Sequence, residues 1–243
     1  TRFETYPRYY GLGFTERPLE AYIRSLYRRC DALVTPSASM VEVLRQQGMN
    51  DDISLWERGV DRELFNSGRR DLAWRRTHGL ADGDVAIGFL GRLVMEKGLE
   101  AFAATIAELR RRGIGHKALV IGDGPARAWF EERLPDAIFA GFQQGADLGR
   151  AVAAIDVLFN PSDTETFGNV TLEAMACGVP VVAARATGST SLVADGESGT
   201  LVPPGDIAGF ADALARYLAD PALREAHGRS GEARSRAYSW DAI

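Results

Sequence analysis

The sequence predicts an α/β protein: a doubly wound parallel-sheet domain from about residue 66 onward, preceded by the tail of another α/β domain. Two observations carry this. Short, continuously apolar runs alternate with helical patterns along most of the chain, and such runs mark strands covered on both faces. The 243 residues, 46% of them apolar and 9% aromatic, suffice for one large domain, or one domain and part of another.

The elements follow in order. Residues 16–30 read as a helix, with Leu19, Tyr22, Ile23, Leu26, Tyr27 and Cys30 at the helical period and Arg24 and Arg28 opposite. A helix of this kind packs on a sheet with a solvated basic face, or rests on an anionic membrane surface. Residues 32–35 form a strand, Ser37 or Ser39 caps a helix ending at Gly48, and 53–56 form a second strand. Residues 58–65, with Gly59 and an unstructured polar run to Asp71, read as a linker. Beyond it, strands over 85–90, 118–121, 138–140, 156–160, 179–183 and 199–202 alternate with helices. The helices are expected over 97–112, near 126–134 and 147–154, over 168–176, and as two closing helices across 206–236. The chain starts without Met or a signal-peptide pattern, and Ser239-Trp240-Asp241-Ala242-Ile243 reads as the opening of another helix. It is expected to be a piece cut from a longer protein at both ends.

Composition excludes several classes. No apolar run approaches the ~20 residues of a membrane helix. A net charge of −5 argues against nucleic acid as a partner. Up to residue 76 there are 13 Lys and Arg against 11 Asp and Glu, and beyond it 15 against 22. An acidic second domain that binds an anion must use a few placed cations and backbone N–H groups. Cys30 and Cys177 have neither metal-ligand nor redox spacing, which fits a reducing, cytoplasmic setting. His78, His116 and His227 are scattered, no metal site is expected, and Asp82-Gly83-Asp84 reads as a polar turn.

In an open parallel sheet, ligands sit beyond the carboxyl ends of the strands, and three loops there stand out. Gly91-Arg92-Leu93-Val94-Met95-Glu96-Lys97-Gly98 follows the first strand of the large domain and puts Lys97 at a helix N-terminus, where the dipole disfavours a cation. An anion held between Arg92 and Lys97 resolves that conflict; otherwise Arg92 pairs with Glu96 and Lys97 is solvated. Glu165-Thr166-Phe167-Gly168-Asn169-Val170-Thr171-Leu172-Glu173 offers the N–H groups of Gly168, Asn169 and Val170 to an anion. Its two glutamates are roughly 12 Å apart if helical, suiting sugars on either side of a diphosphate. Ser162 and Glu165 also have capping-box spacing, which would make the same residues structural. Ile121-Gly122-Asp123-Gly124-Pro125 fails the dinucleotide fingerprint at Arg127 and reads as a tight turn with Pro125 opening a helix. There is neither a nucleophile elbow nor a Walker A loop.

These loops, with Pro161-Ser162, Glu173-Ala174-Met175-Ala176, Gly178-Val179-Pro180-Val181-Val182 and Gly59-Val60-Asp61, resemble the retaining glycosyltransferases of family 4. The likeness covers essentially the whole chain. Tyr9-Tyr10-Gly11-Leu12-Gly13 and Arg58-Gly59-Val60-Asp61 look most like bacterial GDP-mannose-dependent α-mannosyltransferases, whose relatives include sulfoquinovosyl-diacylglycerol synthases.

The resemblance implies a GT-B fold, with a near-complete C-terminal Rossmann-like domain over 66–243 and, over 1–65, the end of the acceptor-binding domain and the linker. It implies metal-independent transfer of a hexose, best taken as mannose from GDP-mannose, with a UDP-sugar the other donor, to a glycan or lipid acceptor. Contact with the cytosolic face of the inner membrane would be peripheral. Arg92 and Lys97 would hold the diphosphate, and Glu173 the ribose. Glu165 and the backbone of Phe167, Gly168, Asn169 and Val170 would hold the transferred sugar and its phosphate. Gly91 would lie at the donor, the loop over 142–144, which includes Phe142, would border the nucleobase, and Arg58 and Asp61 would lie near the cleft and hinge. With most of the acceptor domain absent, the chain alone is expected to be inactive. An epimerase of similar fold and a non-catalytic nucleotide-sugar-binding module are the competing readings.

Overall fold

The computed structural model describes residues 3–56 and 58–239, so the helix expected to open near the C-terminus falls outside the described residues from 240 on. A 3-10 segment, Phe3–Tyr10, and a short 3-10 turn, Gly13–Thr15, lead into α1 (Glu16–Tyr27). That helix stops before residue 30 because Asn50 Nδ2 donates to the carbonyls of Tyr27 and Cys30, both at 2.9 Å. Then come β1 (Leu33–Thr35), α2 (Ala38–Gln46) and β2 (Ile53–Leu55). Ser37 is the N-cap of α2, its hydroxyl accepting from Met40 N at 3.3 Å. The two strands pair in parallel, and Met40, Leu44, Met49 and Ile53 bury together as a small core.

The segment expected to be an unstructured linker is anchored instead. Val60 and Phe65 are buried in the main core, and Arg70 reaches Asp156 at 2.6 Å and the carbonyl of Ala153 at 3.0 Å. Asp71 then caps α3 (Leu72–Thr77), a helix the sequence pattern does not show, because six residues are too few for a helical period.

The rest alternates as expected: β3 (Ala86–Leu90), α4 (Leu99–Arg111), β4 (Lys117–Ile121), α5 (Arg127–Arg133), β5 (Ile138–Gly141), α6 (Gly145–Ala153), β6 (Val157–Asn160), α7 (Asn169–Ala176), β7 (Val181–Ala184), α8 (Thr187–Leu192), β8 (Gly199–Val202), α9 (Ile207–Ala219) and α10 (Pro221–Ser235). Helix α8 is a second addition; its Thr-Gly-Ser-Thr-Ser stretch has weak helix propensity and no apolar period. The helix expected over 97–112 starts at Leu99, after a 3-10 turn Met95–Lys97. Pro125 does not open a helix either: Ala126 N bonds back to Leu93 O, and α5 begins at Arg127.

The six strands are all parallel, in the order β5-β4-β3-β6-β7-β8. Successive strand residues face opposite layers. Ala86, Leu119, Leu158 and Val181 pack with α6 and α7, whereas Ile87, Val120, Phe159 and Val182 pack with α4 and α9. Phe102 of α4 anchors the second layer, its ring 5.6 Å from Phe89 and 5.2 Å from Phe159. Beyond α10 the chain returns to the linker, where Tyr238 O accepts from Val60 N.

One buried ion pair joins α3 to the sheet. Arg75, fully buried, donates to Asp156 Oδ2 at 3.1 Å, to Asp84 O at 2.7 Å and to Ala154 O. Asp156 Oδ2 in turn accepts from Ala86 N at 2.7 Å, tying the starts of β3 and β6 together. Removing Arg75 leaves that carboxylate without its buried partner. Arg75→Ala should therefore cost about 3–5 kcal/mol in urea unfolding, and Arg70→Ala, at the half-exposed end of the same carboxylate, about 1 kcal/mol or less.

Candidate active site

The chain leaves β3 towards β4 and β5 on one side, then returns to the centre and builds β6, β7 and β8 on the other. The strand order reverses between β3 and β6, so the loops beyond their carboxyl ends diverge and leave a crevice. Those two loops carry Arg92 and Lys97 on one side and Glu165 on the other.

The loop after β3 is tied down along its backbone. Gly91 N bonds to Ile121 O at 3.0 Å, Leu93 N to Asp123 O at 3.0 Å, and Ala126 N to Leu93 O at 3.0 Å. Gly122 allows this closeness, because a Cβ there would collide with the carbonyl of Gly91. The glycines of this turn thus pack one loop on another, as a tight turn should. Gly98, with φ 78°, closes the 3-10 turn that carries Lys97, and a Cβ on it would lie 2.9 Å from the carbonyl carbon of Pro161. Only a glycine lets the two loops touch here.

The loop after β6 is stitched to the first. The hydroxyls of Ser162 and Thr164 both donate to Glu96 O, at 3.1 and 3.0 Å. Glu165 O accepts from Thr187 Oγ1 at 2.6 Å and from Gly188 N at 2.8 Å, at the start of α8. Between the loops, Lys97 Nζ donates to Glu165 Oε2 at 2.9 Å, with the lysine side chain 36% exposed and the glutamate 12%. The capping-box alternative does not form. Ser162 bonds elsewhere, Glu165 lies outside α7, and the N-cap of α7 is Gly168, with no side-chain cap and φ 97°. Among the described residues the first N–H groups of α7 thus have no side-chain partner. Phe167 is buried, its ring edge-on to Tyr238 at 6.0 Å.

Arg92 is exposed and forms no ion pair among the described residues; Glu96 instead accepts from Tyr10 Oη at 3.0 Å. Arg92 lines a cleft of about 430 Å³ with Gly91, Asp123, Phe142, Gln143 and Leu148. Phe142 is 71% exposed there, a flat apolar surface beside a cation. Gln143, in the loop that the family likeness would put beside the nucleobase, is held by its own Nε2 donating to Ala140 O at 2.6 Å.

Glu173 lies further along α7. It lines a smaller cavity of about 170 Å³ with Gly59, Asp61, Phe65, Asn169 and Leu172. Burial pushes its carboxyl up to about 7, and burial together with the Glu173 charge pushes the neighbouring Cys177 thiol up to about 12. Asp61 has a second task, its Oδ1 accepting from Glu63 N at 3.0 Å and Leu64 N at 3.1 Å. Arg58 is half-buried and is not among the residues that line either cavity.

The site therefore divides into a cation-flanked cleft, a lysine–glutamate pair beside an uncapped helix N-terminus, and a second pocket with a buried carboxyl. The first can take a flat ring next to an anion, the second an anion joined to a polyhydroxyl group, and the third a diol. Sequence reasoning gave Ser162 a capping role and did not foresee Thr164, Thr187 or Gly188, because bonds to the carbonyls of a distant loop depend on tertiary contact and leave no spacing signal.

Among the described residues no three His, Cys, Asp or Glu side chains gather as a metal site, and no helix is long and apolar enough to cross a membrane.

Residues 84–220 match the family described as "Glycosyl transferases group 1", and residues 1–64 match "Glycosyltransferase Family 4". The GDP-mannose-dependent alpha-mannosyltransferase of Corynebacterium glutamicum is 34% identical over 216 residues, covering 86% of this chain and 51% of that protein. Sulfoquinovosyl transferase SQD2 of Arabidopsis thaliana is 34% identical over 251 residues, covering 100% of this chain and 48% of that protein. The chain spans about half the length of these curated relatives. Among solved structures, sucrose-phosphate synthase from Thermosynechococcus elongatus superposes with a TM-score of 0.80 at 26% identity, covering 93% of this chain and 59% of that one. The α/β architecture is that of the GT-B glycosyltransferases, as the family likeness implied. With a family match over more than half its residues, the chain belongs to the group 1 glycosyl transferases.

Proposed function

We propose that residues 66–243 are the nucleotide-sugar-binding domain of a retaining hexosyltransferase, and that residues 1–65 supply the end of its acceptor domain and the linker. The observation that carries this is the Lys97–Glu165 pair at the β3/β6 crevice, set between the Arg92 cleft and the open N-terminus of α7. The nucleobase would lie in the Arg92–Phe142 cleft, which has an apolar surface for a ring. Glu173, in its pocket with Asp61, would accept the ribose hydroxyls. Arg92, Lys97 and the N–H groups of Gly168, Asn169 and Val170 would hold the diphosphate.

Charge develops on the departing nucleoside diphosphate as the sugar–phosphate bond breaks. Two cations and a helix N-terminus can neutralise it without help from a divalent ion. An ammonium has three donors, so Lys97 can keep Glu165 and still reach a phosphate oxygen. Glu165 would then use its second oxygen on the transferred sugar. Among the described residues no carboxylate is assigned as a nucleophile in this reading, and the leaving phosphate would take the acceptor proton on the same face of the sugar. We infer mannose from GDP-mannose as donor, because the Corynebacterium glutamicum relative bears that name at 34% identity. The acceptor is a glycan or a lipid, met by a cytoplasmic protein at the membrane surface.

Three results test this. Lys97→Ala should weaken binding of free GDP or UDP by about 1.5–3 kcal/mol, since the lost hydrogen bond is to a charged group. Unchanged affinity in calorimetry would remove Lys97 from the diphosphate site.

The two glutamates should separate. Glu173→Ala should lower affinity for the free nucleoside diphosphate. Glu165→Gln, which leaves an oxygen for Lys97, should spare that affinity and slow turnover of the whole protein, because contacts to the transferred sugar count most in the transition state. Equal losses of nucleotide affinity would merge the two roles.

Glu173 should also leave a mark on stability. Its folded carboxyl titrates near 7 and an unfolded one near 4.5, so the folded state holds the proton more tightly. The associated stability is full below about pH 4.5 and is lost as pH rises through 7. Relative to Glu173→Gln, the wild type should lose on the order of 2–3 kcal/mol between pH 5 and pH 8 in urea unfolding. Parallel curves for the two proteins would show that the carboxyl is not shifted.

A further inference from the structure

The 3-10 segment Phe3–Tyr10 is far in sequence from both donor loops and touches each of them. Arg8 Nη2 donates to Asp163 Oδ2 at 2.7 Å, and Tyr9 Oη donates to the other oxygen of the same carboxylate. Tyr10 Oη donates to Glu96 Oε2 at 3.0 Å. Asp163 lies two residues before Glu165, and Glu96 lies immediately before Lys97. Burial, and after it the charges of Glu96 and Glu165, raises the phenol of Tyr6 in the same segment above its ordinary value.

These contacts are poor candidates for holding the fold together. The Arg8 side chain is 38% exposed and that of Asp163 34%, and Tyr10 is 57% exposed. Such pairs typically contribute about 0–1 kcal/mol to stability. What they can determine is geometry. Inside the large domain, the loops are stitched through backbone carbonyls, at Glu96 O and Glu165 O. The tie from residues 8–10 is different: it grips side chains beside the reacting pair, and it comes from the part of the chain that precedes the linker. Both oxygens of Asp163 are occupied by it. Arg8 also lies 4.9 Å from the centre of the Tyr9 ring, which keeps the two donors side by side.

We propose that Tyr9 is a positioning residue: with Arg8 it clasps Asp163 and so holds Glu165, and through Glu165 the Lys97 ammonium, in the geometry that transfer requires. Tyr10 does the same from the Glu96 side. The clasp reports on the acceptor side of the cleft, since residues 3–10, when seated, grip a side chain of each donor loop at once. This rests on the transferase reading above. Burial and the Asp163 carboxylate push the Tyr9 hydroxyl up to about 12, so it remains a donor throughout the neutral range.

The test uses the whole protein with a nucleotide sugar as substrate. Tyr9→Phe keeps the ring and removes only the hydroxyl. It should lower kcat about tenfold, a moderate loss for misplaced reacting groups, while the affinity for free nucleoside diphosphate stays within about twofold. The unfolding midpoint should not move. Asp163→Asn, which keeps the shape of the side chain, should give the same defect, and the double variant should be no slower than either single one, because both changes open one clasp. The clasp is overturned by an unchanged kcat in Tyr9→Phe, by equal loss of nucleotide affinity, or by losses that multiply in the double variant. If Tyr9→Phe does not fold, Asp163→Asn and Tyr10→Phe carry the same comparison. Wild-type protein that transfers no sugar would overturn the transferase reading and this role with it. Active wild type beside an unimpaired Tyr9→Phe would overturn the role alone.

Discussion

The adjacency of β3 and β6 is the constraint on which the rest of the site depends. These strands are neighbours in the sheet, but 66 residues lie between the end of one and the start of the other, with β4 and β5 made in between. Their outgoing loops turn to opposite sides, and the space between them is the one place where backbone from both halves of the sheet can face a ligand. An ion pair across that space, Lys97 to Glu165 at 2.9 Å, needs both strands in register. Asp156 ties the start of β6 to the start of β3 at the other end of the sheet. Arg75, by satisfying Asp156 from beneath, therefore bears on the geometry above.

Close approach of loops makes this pairing affordable for the backbone. Gly98 meets Pro161 and Gly122 meets Gly91, so three loop backbones lie against one another without side chains between them. The hydroxyls of Ser162, Thr164 and Thr187 then satisfy carbonyls that would otherwise face a crevice. A lysine placed at the end of a 3-10 turn, just before a helix, sits where the helix dipole disfavours it. Glu165, 2.9 Å from the Lys97 Nζ, offsets that penalty. The arrangement is pre-organised in the sense that matters for catalysis, with charges oriented before charge develops.

The strands were legible because burial on both faces writes an uninterrupted apolar run, and that signal survives without any knowledge of neighbours. Residues 85–90, 118–121 and 199–202 fall on β3, β4 and β8 almost residue for residue. Elements of six residues were not legible. In α3 the buried neighbours Trp74 and Arg75 show no period, and α8 is made of residues that favour caps and turns. In the site, the charged groups were visible through their conflict with the dipole and through a recognised spacing. The pairing of Lys97 with Glu165 was not, because it depends on strand order, and strand order is a tertiary fact. The same reason hid Tyr9 and Tyr10, which were conspicuous only as a motif.

If the chain acts as proposed above, its two parts answer different requirements of one reaction. In the reading proposed above, most groups assigned to the nucleotide lie in the large domain, on loops joined at Glu96 O and Glu165 O, and the linker adds Asp61 to the Glu173 pocket. Transfer is more demanding, because a second substrate must meet the sugar at a fixed distance from the departing phosphate. A small movement of the preceding domain would break that alignment without disturbing the nucleotide. The contacts that couple the two parts fall where such a movement has to be resisted. Ser37 donates to Thr166 O at 2.6 Å and Ser39 to Thr187 O, at the two ends of the stretch that supports Glu165. Tyr9 and Arg8 hold Asp163 before it. In that reading, docking of the acceptor side would be sensed at both donor loops, at Asp163 and Thr166 in the loop after β6 and at Glu96 in the loop after β3.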